Sequence, residues 1–357
     1  MKKLKVGIIG AGTLSTFHMN AYKNNPDVEI IAVCDSNIER AMGRAAEYEV
    51  KEYYGDYAKM LEKAEIDAVS VITSNNTHTP ITIAALEAGK HVLCEKPPAL
   101  NAAGAKAMEE AAAKAGKLLM YGFVRRFAEN VQLLKNSIEK GALGEIYYVK
   151  AGVLRRCGNP GGWFANKEIS GGGPLIDVGV HLIDLAVYLM GSPRPVEVLG
   201  TVSSKIGNRG NIKGVSWYKA ADFTTSRNTV EDFASALIKF DNGASLFVET
   251  SWAMNIRTAA SYMDVFGNKG GAKLEPSLEI YSELDDYMVD ISPVLDSNGF
   301  DMEHSFQAEL NHFIHCALNG VKCICPARDG TTVMKIVDAV YRSAELGKSV
   351  GIETKEY

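Results

Sequence analysis

The 357 residues predict an α/β chain in two parts. The first is a parallel sheet with helices between its strands. The second is an α/β part with a large, mostly antiparallel open sheet. Three observations carry this reading. Short apolar runs at 5–10, 29–34, 67–73, 91–94 and 118–121 are separated by connecting segments, of which 80–88 and 101–116 are helix-like. Such alternation implies parallel strands with right-handed crossovers. Beyond Gly191, apolar runs at 195–204, 230–240, 243–253 and 262–266 follow one another without helices between them. Hairpin-linked strands of that kind imply an antiparallel sheet, and Asn242-Gly243 suits a tight turn. Between the two parts lies a mostly apolar helix carrying three polar residues on one face.

Bulk properties limit the function. A hydrophobic fraction of 46% and a charged fraction of 23% are those of an ordinary globular protein. A formal net charge of -5 with no long basic run argues against nucleic-acid binding. The N-terminus starts basic, but its apolar stretch is short and broken by glycines. Neither a signal peptide nor a membrane span is expected, so the cytoplasm is the expected compartment. Cysteines 34, 94, 157, 316, 323 and 325 are scattered. Cys323-Ile324-Cys325 resembles half a metal site, but no second Cys/His pair with ligand spacing accompanies it. Free thiols and no metal are expected.

The first strand, 5–10, runs into Gly10-Ala11-Gly12-Thr13-Leu14-Ser15 and then an amphipathic helix to about residue 24. Strand, glycine turn and helix are the parts of a dinucleotide site in a Rossmann fold. Glycines let the backbone approach a pyrophosphate at a helix N-terminus. The second strand ends at Asp35. A carboxylate there accepts hydrogen bonds from the adenosine ribose and repels a 2′-phosphate, so NAD is expected over NADP. Ser36 and Arg40 follow it on the cofactor side, Arg40 with the alternative of a solvated helix residue. The loop after the 67–73 strand contributes Thr73, Ser74, Asn75 and His78 to the same sheet edge. His78 is expected to touch cofactor or cap the next helix, over 80–88.

His91-Val92-Leu93-Cys94 reads as a buried strand stopped by Glu95-Lys96-Pro97-Pro98. Proline lacks an N–H and fixes φ, so the strand cannot continue past Lys96. Ligands of open α/β sheets bind beyond the carboxyl ends of the strands, which puts Glu95 and Lys96 at that place. A helix over 101–116 with Asn101 as its N-cap follows. The first domain is expected to span 1–123. The second is expected to span 124–357, its terminal helix (about 331–347) packing back on the first.

In the second part, a helix over 127–140 and a strand over 145–156 precede a glycine-rich loop, 157–173, that holds Trp163 and Phe164. Trp163 is expected to stack on a sugar ring or to serve as a lid or core contact. Gly171-Gly172-Gly173-Pro174 introduces the polar-faced helix, since proline suits a first helical position. Asp177, His181 and Asp184 recur at i, i+4 and i+7, on one face. The rest of that helix is almost wholly apolar. Buried Asp and His need partners, and a site supplies them. Helices over 303–319 and 331–346 close the chain, and the exposed face of the open sheet predicts a homo-oligomer interface.

With these motifs together, the chain resembles the Gfo/Idh/MocA oxidoreductases, the glucose–fructose oxidoreductase and inositol dehydrogenase family. The resemblance rests on Gly10-Ala11-Gly12, Glu95-Lys96-Pro97 and Gly171-Gly172-Gly173 running into Asp177 and His181. Ser15, Ser74 and Pro98 depart from the family's usual residues without removing a chemical group. The resemblance implies Lys96, Asp177 and His181 as the catalytic group and a nicotinamide near Glu95-Lys96-Pro97, between the domains. It also implies a cis Lys96–Pro97 peptide. Arg125 is expected on the cofactor, and Arg126, Arg155 and Trp163 at the substrate beside Lys96, Asp177 and His181. The implied activity is hydride transfer between a secondary hydroxyl of a sugar, glycoside or cyclitol and NAD, in a homodimer or homotetramer. Alternatives are an NAD-dependent glycosidase, a glycoside 3-oxidation that precedes deglycosylation, and a silent sugar or nucleotide sensor. Selectivity is expected in the loops 157–173 and 206–226.

Overall fold

The computed structural model describes residues 3–207, 209 and 228–352. Most of the expected selectivity loop 206–226 lies outside the described residues. The chain divides into two compact units, Met1–Val124 with Met302–Thr331, and Arg125–Asp301 with Thr332–Tyr357.

The first unit is built on six parallel strands: β1 (Leu4–Ile9), β2 (Val28–Cys34), β3 (Glu52–Tyr54), β4 (Ala68–Val71), β5 (His91–Glu95) and β6 (Leu119–Gly122). Their spatial order is β3-β2-β1-β4-β5-β6, so the order reverses between β1 and β4. That reversal opens a crevice at the carboxyl ends of the strands, where α/β sheets bind ligands. The central strands are apolar on both faces because helices cover both sides. The helices are α1 (Ser15–Lys23), α2 (Ile38–Glu47), α3 (Tyr57–Lys63), α4 (Asn75–Glu87) and α5 (Ala102–Ala115). Asn101 caps α5 as expected, its side chain accepting from Gly104 N–H, and Gly116 ends the helix with φ +61°.

Two differences from the sequence reading concern this unit. The helix expected over 80–88 begins at Asn75, so the supposed loop residues Asn75 to His78 form its first turn. Pro80 removes one helical hydrogen bond, and the helix continues through it. The segment that returns to this unit is Met302–Thr331, which includes the first turn of the last helix, Ala327–Leu346. It carries α9 (Met302–Asn319), whose Phe306 stacks on Phe17 at 5.1 Å and lies 5.5 Å from the His18 ring.

Among the described residues, the second unit holds nine strands: β7 (Ile146–Leu154), β8 (Pro195–Ser203), β9 (Phe233–Phe240), β10 (Ser245–Ser251), β11 (Ala260–Gly267), β12 (Gly271–Glu275), β13 (Glu279–Leu284), β14 (Tyr287–Ile291) and β15 (Val350–Gly351). The order is β14-β13-β12-β11-β7-β10-β9-β8-β15. Only β7 and β10 pair in parallel; the other neighbours are antiparallel. Gly243, at φ +87°, turns β9 into β10, and Asn242 accepts from Ala244 N–H. Helices α6 (Glu129–Glu139), α7 (Lys167–Ser170), α8 (Val180–Leu189) and most of α10 (Ala327–Leu346) belong here.

The polar-faced helix is not uniformly α-helical. Leu175–Gly179 is a π-helical turn, and α8 follows it. Lys167–Leu189 is long and apolar enough to cross a membrane by composition, but 83% of its most apolar 18-residue window, of mean hydropathy 1.4, is buried inside the fold. It is the core helix of the second unit.

Candidate active site

Gly10 and Gly12 are glycines for different reasons. Gly10 has φ +104°, and a Cβ there would lie 2.2 Å from the Ile72 carbonyl oxygen. The backbone just after β4 therefore forbids any side chain. A Cβ on Gly12 would meet no protein atom within 4 Å. Gly12 faces open space, the room that a pyrophosphate needs to reach the backbone. No side chain caps the first turn of α1, so the positive end of its dipole is left for an anion. Ser15, which replaces the third glycine, is buried and its hydroxyl donates to the Gly12 carbonyl at 2.7 Å. Thr13 is exposed and Leu14 half-buried at the same turn.

Asp35 ends β2 and is 9% exposed. Its Oδ2 accepts from Ala11 N–H at 2.9 Å and its Oδ1 from Asn37 N–H at 2.9 Å. The carboxylate thus clamps the glycine turn, and each oxygen retains a lone pair for a ribose hydroxyl. Arg40 lies 3.7 Å from Oδ2, and Ser36 is exposed beside it. These residues fit NAD: an open glycine, an uncapped helix start and a fixed carboxylate at the second strand tip.

Beyond β4 and β5 the expected contacts divide. Thr73 accepts from Thr77 through its hydroxyl, and Ser74 Oγ donates to Asn76. Asn75 is buried in the first turn of α4. His78 is 1% exposed. Its Nδ1 faces the Pro97 carbonyl at 2.8 Å and its Nε2 the Thr73 carbonyl at 3.1 Å. Burial pushes its pKa down, against the two backbone bonds that raise it. His78 thus ties the loop after β4 to the Lys96-Pro97 turn. The Lys96–Pro97 peptide is cis, as the resemblance implies.

Glu95 is also occupied. Its Oε1 lies 2.9 Å from His18 Nε2, and its Oε2 accepts from Lys96 N–H at 3.1 Å. His18 Nδ1 faces Ser70 Oγ at 3.3 Å, and Ser70 shares a 2.7 Å bond with the Tyr22 hydroxyl. The sequence reading expected Glu95 on the cofactor and did not single out His18. Buried on α1, His18 has no spacing signal of its own; only the fold sets it against β4 and β5. Lys96 is half-buried, directly after this fixed acid.

In the second unit, Gly172 and Gly173 are required by close approach. A Cβ on Gly172 would lie 2.0 Å from the Tyr341 hydroxyl, and one on Gly173 would lie 2.2 Å from the Glu231 carbonyl. Glu231, missed by the sequence reading, accepts from Gly173 N–H at 2.8 Å, Leu175 N–H at 3.1 Å and the Tyr341 hydroxyl at 2.9 Å. It is a carboxylate cap on the start of the polar-faced helix, and burial raises its pKa despite those bonds.

The three residues expected on one face do not share one role. Asp177, within the π turn, accepts from Trp252 Nε1–H at 3.1 Å. His181 is half-buried in the first turn of α8. Asp184 is 1% exposed and binds Arg126 through both oxygens, at 3.0 and 2.6 Å. Arg126, expected at the substrate, is likewise 1% exposed and lies over the Tyr188 ring at 4.6 Å. A guanidinium held by a bidentate pair along one edge inside a core serves the fold; a buried charge stays only where a partner neutralises it.

Arg125 pairs with Glu275 and lies over the Phe300 ring at 5.1 Å. Burial lowers the Arg155 pKa, while the Asp177 carboxylate raises it. Trp163 stacks on Phe164 at 3.8 Å, and Phe164 meets Trp252 edge-on at 6.4 Å. An aromatic row thus runs from the 157–173 loop to the indole that fixes Asp177.

A Rossmann unit with a cofactor-ready glycine turn, joined to an antiparallel-sheet unit with a polar-faced core helix, defines a nicotinamide-dependent oxidoreductase. The oxidoreductase family with an NAD-binding Rossmann fold matches residues 4–123, and the GFO/IDH/MocA C-terminal domain matches residues 131–273. The chain belongs to the Gfo/Idh/MocA oxidoreductase family, and its cofactor is NAD. It is similar to the D-glucoside 3-dehydrogenase of Escherichia coli (strain K12), 39% identical over 353 residues, 97% of each chain. The myo-inositol 2-dehydrogenase of Thermotoga maritima is 29% identical over 98% of this chain and 99% of that one. Among solved structures, levoglucosan dehydrogenase in complex with NADH and L-sorbose superposes with a TM-score of 0.88 at 26% identity, covering 99% of this chain and 100% of that chain.

Proposed function

We propose that the enzyme oxidises a secondary hydroxyl of a sugar, glycoside or cyclitol, a D-glucoside hydroxyl at carbon 3 foremost. The observation that carries this reading is the 39% identity to a D-glucoside 3-dehydrogenase along 97% of both chains. NAD, when bound, accepts the hydride. His181 removes the hydroxyl proton, a task suited to an imidazole that titrates near neutrality. Asp177, with one oxygen held by Trp252, orients the substrate hydroxyl or the imidazole. Lys96 donates a hydrogen bond to the alkoxide as its charge develops. Arg155 and Trp163 contribute to the substrate site, and Arg125 to the cofactor site.

The same reading places the enzyme in the cytoplasm as a homodimer or homotetramer through the second unit's sheet. Paired outward residues Leu199 and Leu237, both exposed, support an interface there.

The test is a panel of sugars, inositols and glycosides with NAD and NADP, read as absorbance of the reduced cofactor. Accumulating NADH and an intact keto-glycoside are expected. Aglycone release without NADH would favour the glycosidase alternative, and a preference for NADP would overturn the role of Asp35. Cofactor binding with no turnover on the panel would favour a sensor.

A further inference from the structure

We propose that His312, Cys316 and Cys323 form a binding site for a thiophilic divalent cation of the zinc class. No metal is expected from the sequence, because Cys323 and Cys325 form a pair there that has no counterpart. The fold groups Cys323 differently. His312 and Cys316 stand four residues apart on α9, hence on one helical face. The chain leaves α9 at Asn319, turns at Gly320 with φ +65° and brings Cys323 back to them. The donor atoms of all three lie within 4.8 Å of one another, and His312 Nε2 is 3.3 Å from Cys316 Sγ.

Those separations suit a tetrahedral cation. Zinc–sulfur bonds of about 2.3 Å and zinc–nitrogen bonds of about 2.0 Å place the donors roughly 3.5–3.8 Å apart. Small side-chain rotations close the difference. Two thiolates and an imidazole select zinc and its late first-row neighbours over magnesium or calcium, which take oxygen ligands. Cys316 is buried, whereas His312 and Cys323 are half-buried, so a cation has a way in and a fourth position for water. Cys325 is fully buried.

The surroundings give such a site a mechanical consequence. Ile324 N–H donates to His312 Nε2 at 3.1 Å, a bond that coordination through this nitrogen would replace. One residue on, the Cys325 carbonyl accepts from Tyr121 N–H at 3.2 Å, and Pro326 bridges Met120. The 320–326 segment is therefore fastened to β6 at one end. A cation at the cluster fastens its other end to α9, and binding stabilises the folded state by linkage.

The test uses the reduced, chelator-treated full-length chain, titrated with Zn²⁺ alone against a chromophoric competitor, and with Co²⁺ as a spectroscopic probe. One equivalent of Zn²⁺ should bind and raise Tm. Co²⁺ should give the thiolate-to-metal charge-transfer absorption of a two-sulfur site. Cys316→Ser and Cys323→Ser should each weaken binding by at least about tenfold, the lower end of what loss of even an outer-shell partner costs, and halve or abolish that absorption. His312→Gln, at a half-buried position, serves if a cysteine variant does not fold. The proposal is overturned if no thiolate band appears, if the variants bind as the parent does, or if Cys316 and Cys323 form a disulfide that excess Zn²⁺ does not prevent.

Discussion

His18 Nε2 and Glu95 Oε1 meet at 2.9 Å inside the first unit, with His18 inaccessible and Glu95 4% exposed. The pair joins α1, which begins at the glycine turn, to the end of β5, where Lys96 follows. Through Ser70 and Tyr22 the same chain of bonds includes β4. Buried networks of this kind fix geometry, because a broken member leaves its neighbours unsatisfied in a low-dielectric interior.

Glu95→Gln should therefore lower unfolding free energy by about 1.5–3 kcal/mol, the range for a hydrogen bond to a charged group. Urea unfolding of Glu95→Gln, His18→Ala and the double variant checks this. The double variant should lose less than the sum of the single ones. Strict additivity would show that the two do not interact.

Arg126 and Asp184 should behave as a structural pair. Removing one partner of a buried ion pair costs about 3–5 kcal/mol, so Asp184→Asn or Arg126→Ala should lower Tm sharply. Once corrected for folded fraction, KM for the sugar should change little. A large KM increase in a stable Arg126 variant would return Arg126 to the substrate site.

The helix cap at Glu231 predicts a pH signature. Its folded pKa is raised above the ordinary 4.5, so the folded state keeps the proton longer than the unfolded chain. Its contribution is full below the unfolded value and is lost as pH rises through the folded one. The stability of the parent relative to Glu231→Gln should thus fall as pH rises above about 4.5. Chemical denaturation of both proteins from acid to neutral pH gives the comparison; a rise in the parent's stability relative to Glu231→Gln as pH increases would contradict the sign.

The two turn glycines should fail differently. Gly12→Val meets no protein atom near its Cβ and should keep Tm while losing at least about tenfold in NAD affinity, or ~1.4 kcal/mol. Gly10→Ala drives a Cβ into the Ile72 carbonyl and should impair folding itself. Calorimetric NAD titration beside a thermal melt separates the two effects.

His181→Ala should lower turnover on the order of a hundredfold or more if His181 is the general base. NAD affinity should be preserved. Full turnover in a variant that binds NAD would remove that role from His181.

Much of this was legible in the chain. The turn after β1 declares itself because only glycine tolerates positive φ and backbone contact there. Pro97 and Pro98 end β5 by removing backbone donors. Asn101 and Gly116 frame α5 as cap residues do. Short strands such as β12 to β15 escaped, since a few residues at a sheet edge carry little periodicity. The start of α4 escaped because Pro80 masked it.

The sequence by itself determined the order of strands and helices, the glycine turn, Asp35 at the second strand tip and the polar positions on a buried helix. Tertiary structure alone decided which polar residues face one another. It turned Glu95 and His78 toward the interior, paired Asp184 with Arg126, set Glu231 from another strand connection onto the helix start and drew Cys323 to His312 and Cys316. Local patterns follow from backbone propensity and burial, which act over a few residues. Partners distant in sequence are chosen by packing, because a buried polar group takes whichever complementary group the fold sets beside it.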